Sequence, residues 1–333
     1  PMMGNFDDRG RLFVAEAAGV NRKAEELDIE KPNFIRMLVD KNRDGRFDES
    51  TVFADGLTFP SGALWHDGAL WVTAAPSIWR LEDTNDDGVA DKREEIVTGF
   101  GYTGNAADLH GPFLHPNGRI FWSHGRKDLE VHDKDGQLIH KGKGARIWSC
   151  EPDGSDVQIY AGGGMDNPVE IVFTPEGEII GDINLMYGRP RGDTLVHWQY
   201  GGAYPRYDQE AVLAEFTRTG DLLTEFHNFG HVAVSGINLY QSQHGLGDFA
   251  GNLFTTHFNT QKITRSFIQK KGASFTHVNE NDFLKIDDPD VHLTDVIENA
   301  NGDLLVIDTG GWFRNGCPVS QIAKPEITGA IYR

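Results

Sequence analysis

The sequence predicts an all-β fold, a six-bladed β-propeller, and three observations carry that prediction. First, a turn ending in glycine runs six times into a short apolar strand. Second, those glycines stand at Gly10, Gly68, Gly118, Gly177, Gly251 and Gly302, a spacing of roughly 50 to 75 residues. Third, amphipathic 3.6-residue periodicity is nearly absent. A repeat of this length marks a radial architecture. A β-sandwich would not produce it. The repeat continues from end to end, so residues 1–333 read as one propeller domain.

The elements follow in order. After each glycine come four to six residues rich in Val, Ile, Leu, Phe and Trp, as in Leu12-Phe13-Val14, Leu70-Trp71-Val72 and Leu304-Leu305-Val306. A second strand type follows at Phe34–Leu38, Ser77–Leu81, Arg146–Ser149, Lys262–Arg265 and Ala330–Arg333. A third precedes a further glycine at Thr51–Gly56, Glu95–Gly99 and Val157–Gly162. Asp208–Phe216 is the one modest helix candidate. The last strand matches the second type, so the chain is expected to stop partway through a repeat. With its start at Pro1-Met2-Met3-Gly4, it reads as a mature or trimmed piece.

Composition bounds the partners. The net charge is −19, which repels phosphate backbones and argues against nucleic acid. No apolar run approaches the roughly 20 residues that span a bilayer. The two cysteines, Cys150 and Cys317, form no CxxC pair. They read as one disulfide in an exported protein or as two buried thiols. No dinucleotide fingerprint, phosphate-binding loop or serine elbow is present, which disfavours nicotinamide, ATP and α/β-hydrolase chemistry.

Two Asp-rich loops suit calcium. Residues 83–94 fit a calcium loop without flanking helices. Asp83, Asn85, Asp87 and Asp91 offer hard oxygens, Val89 offers its carbonyl, and Glu94 is expected to close the shell. Residues 40–48 repeat the first half through Asp40, Asn42 and Asp44, with Thr51 at the twelfth position. Calcium there would be structural, joining strands away from the channel.

The thirteen histidines supply the second signal. We take the strand after each glycine as the innermost of its blade and place the residues just outside it at the channel mouth. His110, His124, His257 and His292 then share that mouth with Glu16, Asn167, Asp182 and Asp308. Imidazoles beside carboxylates suit a divalent metal (Mn, Zn or Ca) or acid–base catalysis. Tyr102, Arg126 and Trp312 fall nearby and suit stacking on a sugar and recognition of its hydroxyls.

The stretches Asp108–Trp122, Asp166-Asn167-Pro168 and Gly201-Gly202-Ala203-Tyr204 resemble soluble quinoprotein (PQQ) sugar dehydrogenases. Nearly the whole chain is similar to the propeller of the membrane-bound dehydrogenase family related to sorbosone dehydrogenases, through Leu81–Asp91 and Asn315–Arg333. The resemblance implies a sugar-oxidising propeller with His110 as the base that takes the hydroxyl proton. It also implies arginines for the carboxylates of PQQ, and those positions read Asp166, His292 and Thr294. Each missing cation weakens PQQ binding and shifts the mouth toward metal binding.

The sequence therefore leads to an exported, periplasmic or secreted, carbohydrate-active propeller. His110 and His292 are its candidate catalytic residues. Tyr102, Arg126, Asn167 and Trp312 are candidates for substrate binding, and His124, His257, Asp182 and Asp308 for metal binding. The rivals are a metal-dependent lyase or hydrolase acting on a sugar or keto-sugar, and a non-catalytic propeller that binds glycan or protein. A haem or other domain attached in the full-length protein is a further expectation of the resemblance.

Overall fold

The six repeat glycines sit at φ between 74° and 95°, a region that L side chains rarely adopt. Each ends a tight turn between the first two strands of one antiparallel sheet. The structure is a computed structural model. It describes residues 1–16, 22–104, 107–163, 165–186, 190–205, 210–311, 324 and 326–333, with Glu210 described for its backbone alone.

Six small sheets form the blades. Blade one is β1 (Gly4–Phe6), β2 (Leu12–Glu16), β3 (Asn33–Val39) and β4 (Glu49–Leu57). Blade two begins with β5 (Pro60–His66), β6 (Ala69–Ala74), β7 (Ser77–Glu82) and β8 (Lys92–Phe100). Blade three is β9 (Leu109–Leu114), β10 (Ile120–His124), β13 (Arg146–Cys150) and β14 (Gln158–Gly162). Its intervening hairpin, β11 (Leu129–Asp133) and β12 (Leu138–Gly142), joins the outer edge of blade two by pairing β11 with β8. Blade four is β15 (Met165–Phe173), β16 (Ile179–Met186), β17 (Gly192–Trp198) and β18 (His227–Gly230). Blade five is β19 (Val234–Leu239), β20 (Leu253–His257), β21 (Lys262–Lys271) and β22 (Ser274–Lys285). Blade six is β23 (Leu293–Glu298), β24 (Leu304–Asp308) and β25 (Ala330–Tyr332).

The second strand of a blade is buried on both faces, as in β6 and β10. That is why these strands read as continuous apolar runs and not as alternating ones. Their two faces serve two neighbours. Phe13 and Ala15 pack toward Leu70 and Val72 of blade two, while Leu12 and Val14 pack against Leu305 and Ile307 of blade six. Trp71, Trp122 and Trp148 fill the seam between blades two and three. The core is thus a ring of seams between blades.

The first strand of every blade faces the axis, where its outer row of backbone groups has no further strand to pair with. Side chains from adjoining blades supply the missing partners. Asn5 Oδ1 accepts from Trp65 N at 3.0 Å, Glu170 Oε2 from Ile237 N at 2.8 Å, and Asp295 Oδ2 from Gly4 N at 3.0 Å. Thr73 Oγ1 donates to Gly111 O at 2.7 Å, and Ser123 Oγ to Pro168 O at 2.7 Å. Buried backbone groups must find such partners.

Three sequence expectations change. The innermost strand is the one before the repeat glycine, because the strand after it pairs on both edges. The residues after the glycine strand therefore stand one strand farther from the axis than expected. A helix the sequence reading missed, α1 (Ala24–Glu30), follows β2. The helix expected at Asp208–Phe216 is one turn, α2 (Glu210–Leu213), and residues 208–209 lie outside the described residues. Cys150 is buried on β13, and Cys317 lies outside the described residues.

Replacing Thr73 by Val keeps the shape and removes the donor to Gly111 O. Urea unfolding should show a loss of about 1–3 kcal/mol. An unchanged midpoint would mean that these interblade bonds add no stability.

Candidate active site

In an antiparallel blade the start of the first strand, the end of the second and the start of the third share one end. Glu16, His110, His124, Arg126, Asn167, His257, His292 and Asp308 all reach that end of the ring, as does Tyr102 just after β8. The mouth rule therefore selects the right end, but the side chains there do not converge.

His110 stands on the inner strand of blade three and is buried. Its Nε2 lies 2.9 Å from Oδ1 of Asn167, on the inner strand of blade four. With the amide oxygen accepting, Nε2 carries the proton and Nδ1 is the basic nitrogen of the neutral ring. The pair bridges two inner strands at the mouth. Beside it, Asp108 accepts from Thr103 N at 2.8 Å and from Thr103 Oγ1 at 2.9 Å, which folds the loop before β9. Arg126 meets Asp166 at 3.2 Å and keeps about half of its side chain exposed.

His292 is turned differently. Its Nδ1 donates to Gly310 O at 2.8 Å, its ring packs on Phe258 at 4.6 Å, and its backbone N donates to Asp308 Oδ1 at 2.8 Å. Asp308 also takes Gly310 N at 2.8 Å and Tyr332 Oη at 3.3 Å. It organises this loop and does not point a free carboxylate at the axis. The Tyr102 hydroxyl is held by Asp28 and lies 3.1 Å from Ala24 O, so α1 covers this side of the mouth. Burial and Asp28 push its pKa up. Trp312 lies outside the described residues.

His124 and His257 do not join this pair. His124 is fully buried, donates Nε2–H to Gly101 O at 2.8 Å and packs on Phe100 at 5.3 Å. His257 is buried against Phe229 at 4.9 Å, with Thr264 Oγ1 3.3 Å from its Nε2. Both end the second strand of their blade, which is why they sink between sheets. Burial lowers each pKa to about 4. Among the described residues, no three metal-ligating side chains of the mouth bring their ligand atoms within 4.8 Å of one another. The four histidines therefore do not make one coordination sphere.

The sequence reading named Asp182 for the mouth but missed its neighbours Glu170 and Asp295, with which it forms an acid cluster farther along the axis. Glu170 on β15 and Asp295 on β23 occupy inner strands, and Asp182 on β16 stands just behind. All three are buried. Asp182 Oδ1 accepts from Glu170 N at 2.8 Å, and its Oδ2 has no hydrogen-bond partner among the described residues. Burial raises Asp182 and Asp295 to about 7, and burial with the charges of Asp295 and Asp182 raises Glu170 well above its usual range. An acidic residue followed by β-branched residues, as in Glu170-Ile171-Val172 and Asp295-Val296-Ile297, was the available signal.

The two Asp-rich loops lie at the opposite end, between the third and fourth strands of blades one and two. They are wired alike. Asp83 Oδ2 accepts from Gly88 N at 2.8 Å, and Asp40 Oδ2 from Gly45 N at 2.8 Å. Asp87 Oδ1 takes Val89 N, as Asp44 Oδ1 takes Arg46 N, both at 2.9 Å. Asp91 folds back on Thr84 N at 3.0 Å, as Asp48 does on Lys41 N at 3.0 Å. The ninth residue thus closes each loop. Glu94 stands out along β8 opposite Arg80, because a strand and not a helix follows Gly88. By the same logic Thr51 does not spoil the first loop.

Burial perturbs the two kinds of group in opposite senses over one pH range. Raised Asp182 and Asp295 stabilise the fold below about pH 4, and that contribution is lost as pH rises to about 7. Lowered His124 and His257 stabilise it above about pH 6.5, and that contribution is lost as pH falls to about 4. Urea midpoints of Asp182→Asn should therefore rise with pH relative to wild type between about pH 4 and 7, and those of His124→Gln should fall. Parallel profiles in the two variants would refute this assignment.

Comparison with known proteins agrees with the ring. Residues 1–315 match the family described as "Domain of unknown function (DUF7133)". The chain is similar to the PQQ-bound form of aldose sugar dehydrogenase from Streptomyces coelicolor, with a TM-score of 0.63 at 15% identity over 92% of this chain and 87% of that one. It is similar to the holo PQQ domain of pyranose dehydrogenase from Coprinopsis cinerea, with a TM-score of 0.59 at 15% identity over 92% and 89%. The calcium structure of a Trichoderma reesei enzyme of Carbohydrate-Active Enzymes Family AA12 gives 0.57 at 12% identity over 92% and 89%. Among curated proteins none matches. At these identities the likeness is one of fold.

Proposed function

We propose that this chain, which belongs to the family described as "Domain of unknown function (DUF7133)", is a carbohydrate-active enzyme working at the His110 end of its ring. The observation that carries the reading is the His110–Asn167 pair, bridging two inner strands in a fold shared with sugar dehydrogenases. Asn167 orients the imidazole and fixes its tautomer. His110 takes the proton of a sugar hydroxyl, and oxidation passes the hydride of the same carbon to a separate two-electron acceptor such as a quinone or dye. Arg126 and Tyr102 border the same end, where a guanidinium and an aromatic face suit sugar hydroxyls and sugar rings.

The quinone of those neighbours fits this mouth poorly. The positions expected to hold its carboxylates are Asp166, His292 and Thr294. Arg126 and Arg36 at this end are already paired with Asp166 at 3.2 Å and Glu16 at 3.0 Å. No step is therefore routed through PQQ. The same loss of cations favours a second reading, a lyase in which His110 removes the proton α to the carbonyl of a keto-sugar as the β-oxygen substituent leaves, or a hydrolase in which it activates the attacking water.

Aldoses with an artificial electron acceptor test the first reading, and unsaturated-product formation from keto-sugars tests the second. In whichever assay is positive, His110→Ala should lower turnover by at least roughly 100-fold. Wild-type turnover in that variant would remove His110 from the chemistry.

We also assign structural calcium to loops 40–48 and 83–91 and propose an exported, periplasmic or secreted setting, where affinities of about 10⁻⁴–10⁻³ M suffice. Each loop packs on the preceding blade. Ala90 N donates to Phe53 O at 2.8 Å, and Gly45 lies against Arg333 of blade six. A chelator should lower the melting temperature and calcium should restore it. The restoring effect should shrink by about half in Asp87→Ala and vanish in Asp44→Ala/Asp87→Ala. A calcium response that persists in the double variant would overturn the assignment.

A further inference from the structure

We propose that His227, His277 and Glu280 form a transition-metal site of the zinc class that clips blade four to blade five. His227 begins β18, the outermost strand of blade four. His277 and Glu280 lie on β22, the outermost strand of blade five. One ligand atom from each falls within 4.8 Å of the others, and among the described residues this is the only such trio.

The sequence would not bring these side chains together in a regular sheet. Residues 277 and 280 are three apart, so a flat strand would send them to opposite faces. A β-bulge corrects this. Ile268 pairs with His277 and Phe267 with Asn279, so Val278 is an extra residue in β22. Glu280 then pairs with Ser266, two residues from Ile268, and both ligands share one face. That face packs on blade four, where Phe275 of β22 joins Leu195 and Phe226.

The spacing suits a four-coordinate ion. Bonds of about 2.0–2.1 Å in a tetrahedron set ligand atoms roughly 3.3 Å apart. Glu280 Oε2 is 3.2 Å from His227 Nε2 and 3.8 Å from His277 Nε2. The two imidazoles are stacked, with centroids 3.6 Å apart and planes 15° from parallel. Metal binding would turn the rings about the soft χ2 bond so that both lone pairs face the ion. Phe229 packs edge-on against His227 at 4.4 Å. Ser266 Oγ lies 3.4 Å from His277 Nε2. The side chains are 19%, 12% and 35% exposed, so an ion can enter from solvent. Two nitrogens and one oxygen favour zinc and its neighbours over calcium or magnesium.

The test uses tag-free, chelator-stripped full chain in buffer with excess calcium, which occupies hard-oxygen loops. Cobalt(II) is titrated while its d–d absorption is read, and zinc(II) then competes. Wild type should bind about one cobalt per chain in a tetrahedral-type spectrum, displaced by zinc, and zinc should raise its melting temperature. His277→Ala and the shape-conserving Glu280→Gln should each weaken cobalt binding by at least roughly 10-fold. Lys271→Ala, at the exposed end of β21, should leave it unchanged. A wild type that binds no cobalt, or that binds as His227→Ala/His277→Ala does, would overturn the proposal. The readout involves no sugar, so it stands or falls independently of His110.

Discussion

The ring depends on how the inner edge of each blade is satisfied. A sheet of four strands leaves one row of N–H and C=O groups facing the axis, where no fifth strand fits. An open row of this kind is costly when buried and promotes aggregation when exposed. Here neighbouring blades supply side-chain partners one bond at a time, through Asn5, Thr73, Ser123, Glu170 and Asp295. The carboxylates among them exist first as acceptors for backbone nitrogen. Their raised proton affinity is a by-product of standing close together and away from water.

This origin also explains the character of the mouth. Inner strands that carry carboxylates toward the axis make a poor bed for an anionic cofactor. The sugar dehydrogenases share the ring, but a ring supplies only places, and what stands in them decides the chemistry. At the His110 end those places hold an imidazole against an amide, ion-paired arginines and a loop-ordering aspartate. That set suits moving a proton on a neutral, hydroxyl-rich molecule better than gripping a tricarboxylate.

Much of the architecture was legible in the chain. The glycines could be read because a tight turn with positive φ has few alternatives, and each was followed by a strand buried on both faces. Strand rank within a blade could not be read so directly. An inner strand such as Met165–Phe173 mixes polar and apolar residues, since its side chains meet both the axis and its neighbours. The central strands were therefore mistaken for the inner ones, which put His124 and His257 too near the axis. His110 survived the error because the start of one strand adjoins the end of the next. The trio at His227, His277 and Glu280 was illegible for another reason: a single bulged residue, Val278, decides which way two ligands face.

The hairpin β11–β12 leaves blade three and completes the edge of blade two. Backbone bonds also cross other seams, as from Ala90 N to Phe53 O and from Gly162 N to Gly202 O, but here a hairpin adds strands to the neighbouring sheet. Blades two and three are thus interleaved along the chain, and neither is finished until both have formed. That interleaving should make the pair, a third of the ring, open together. Local opening should pass around it and begin at seams where only side chains must separate.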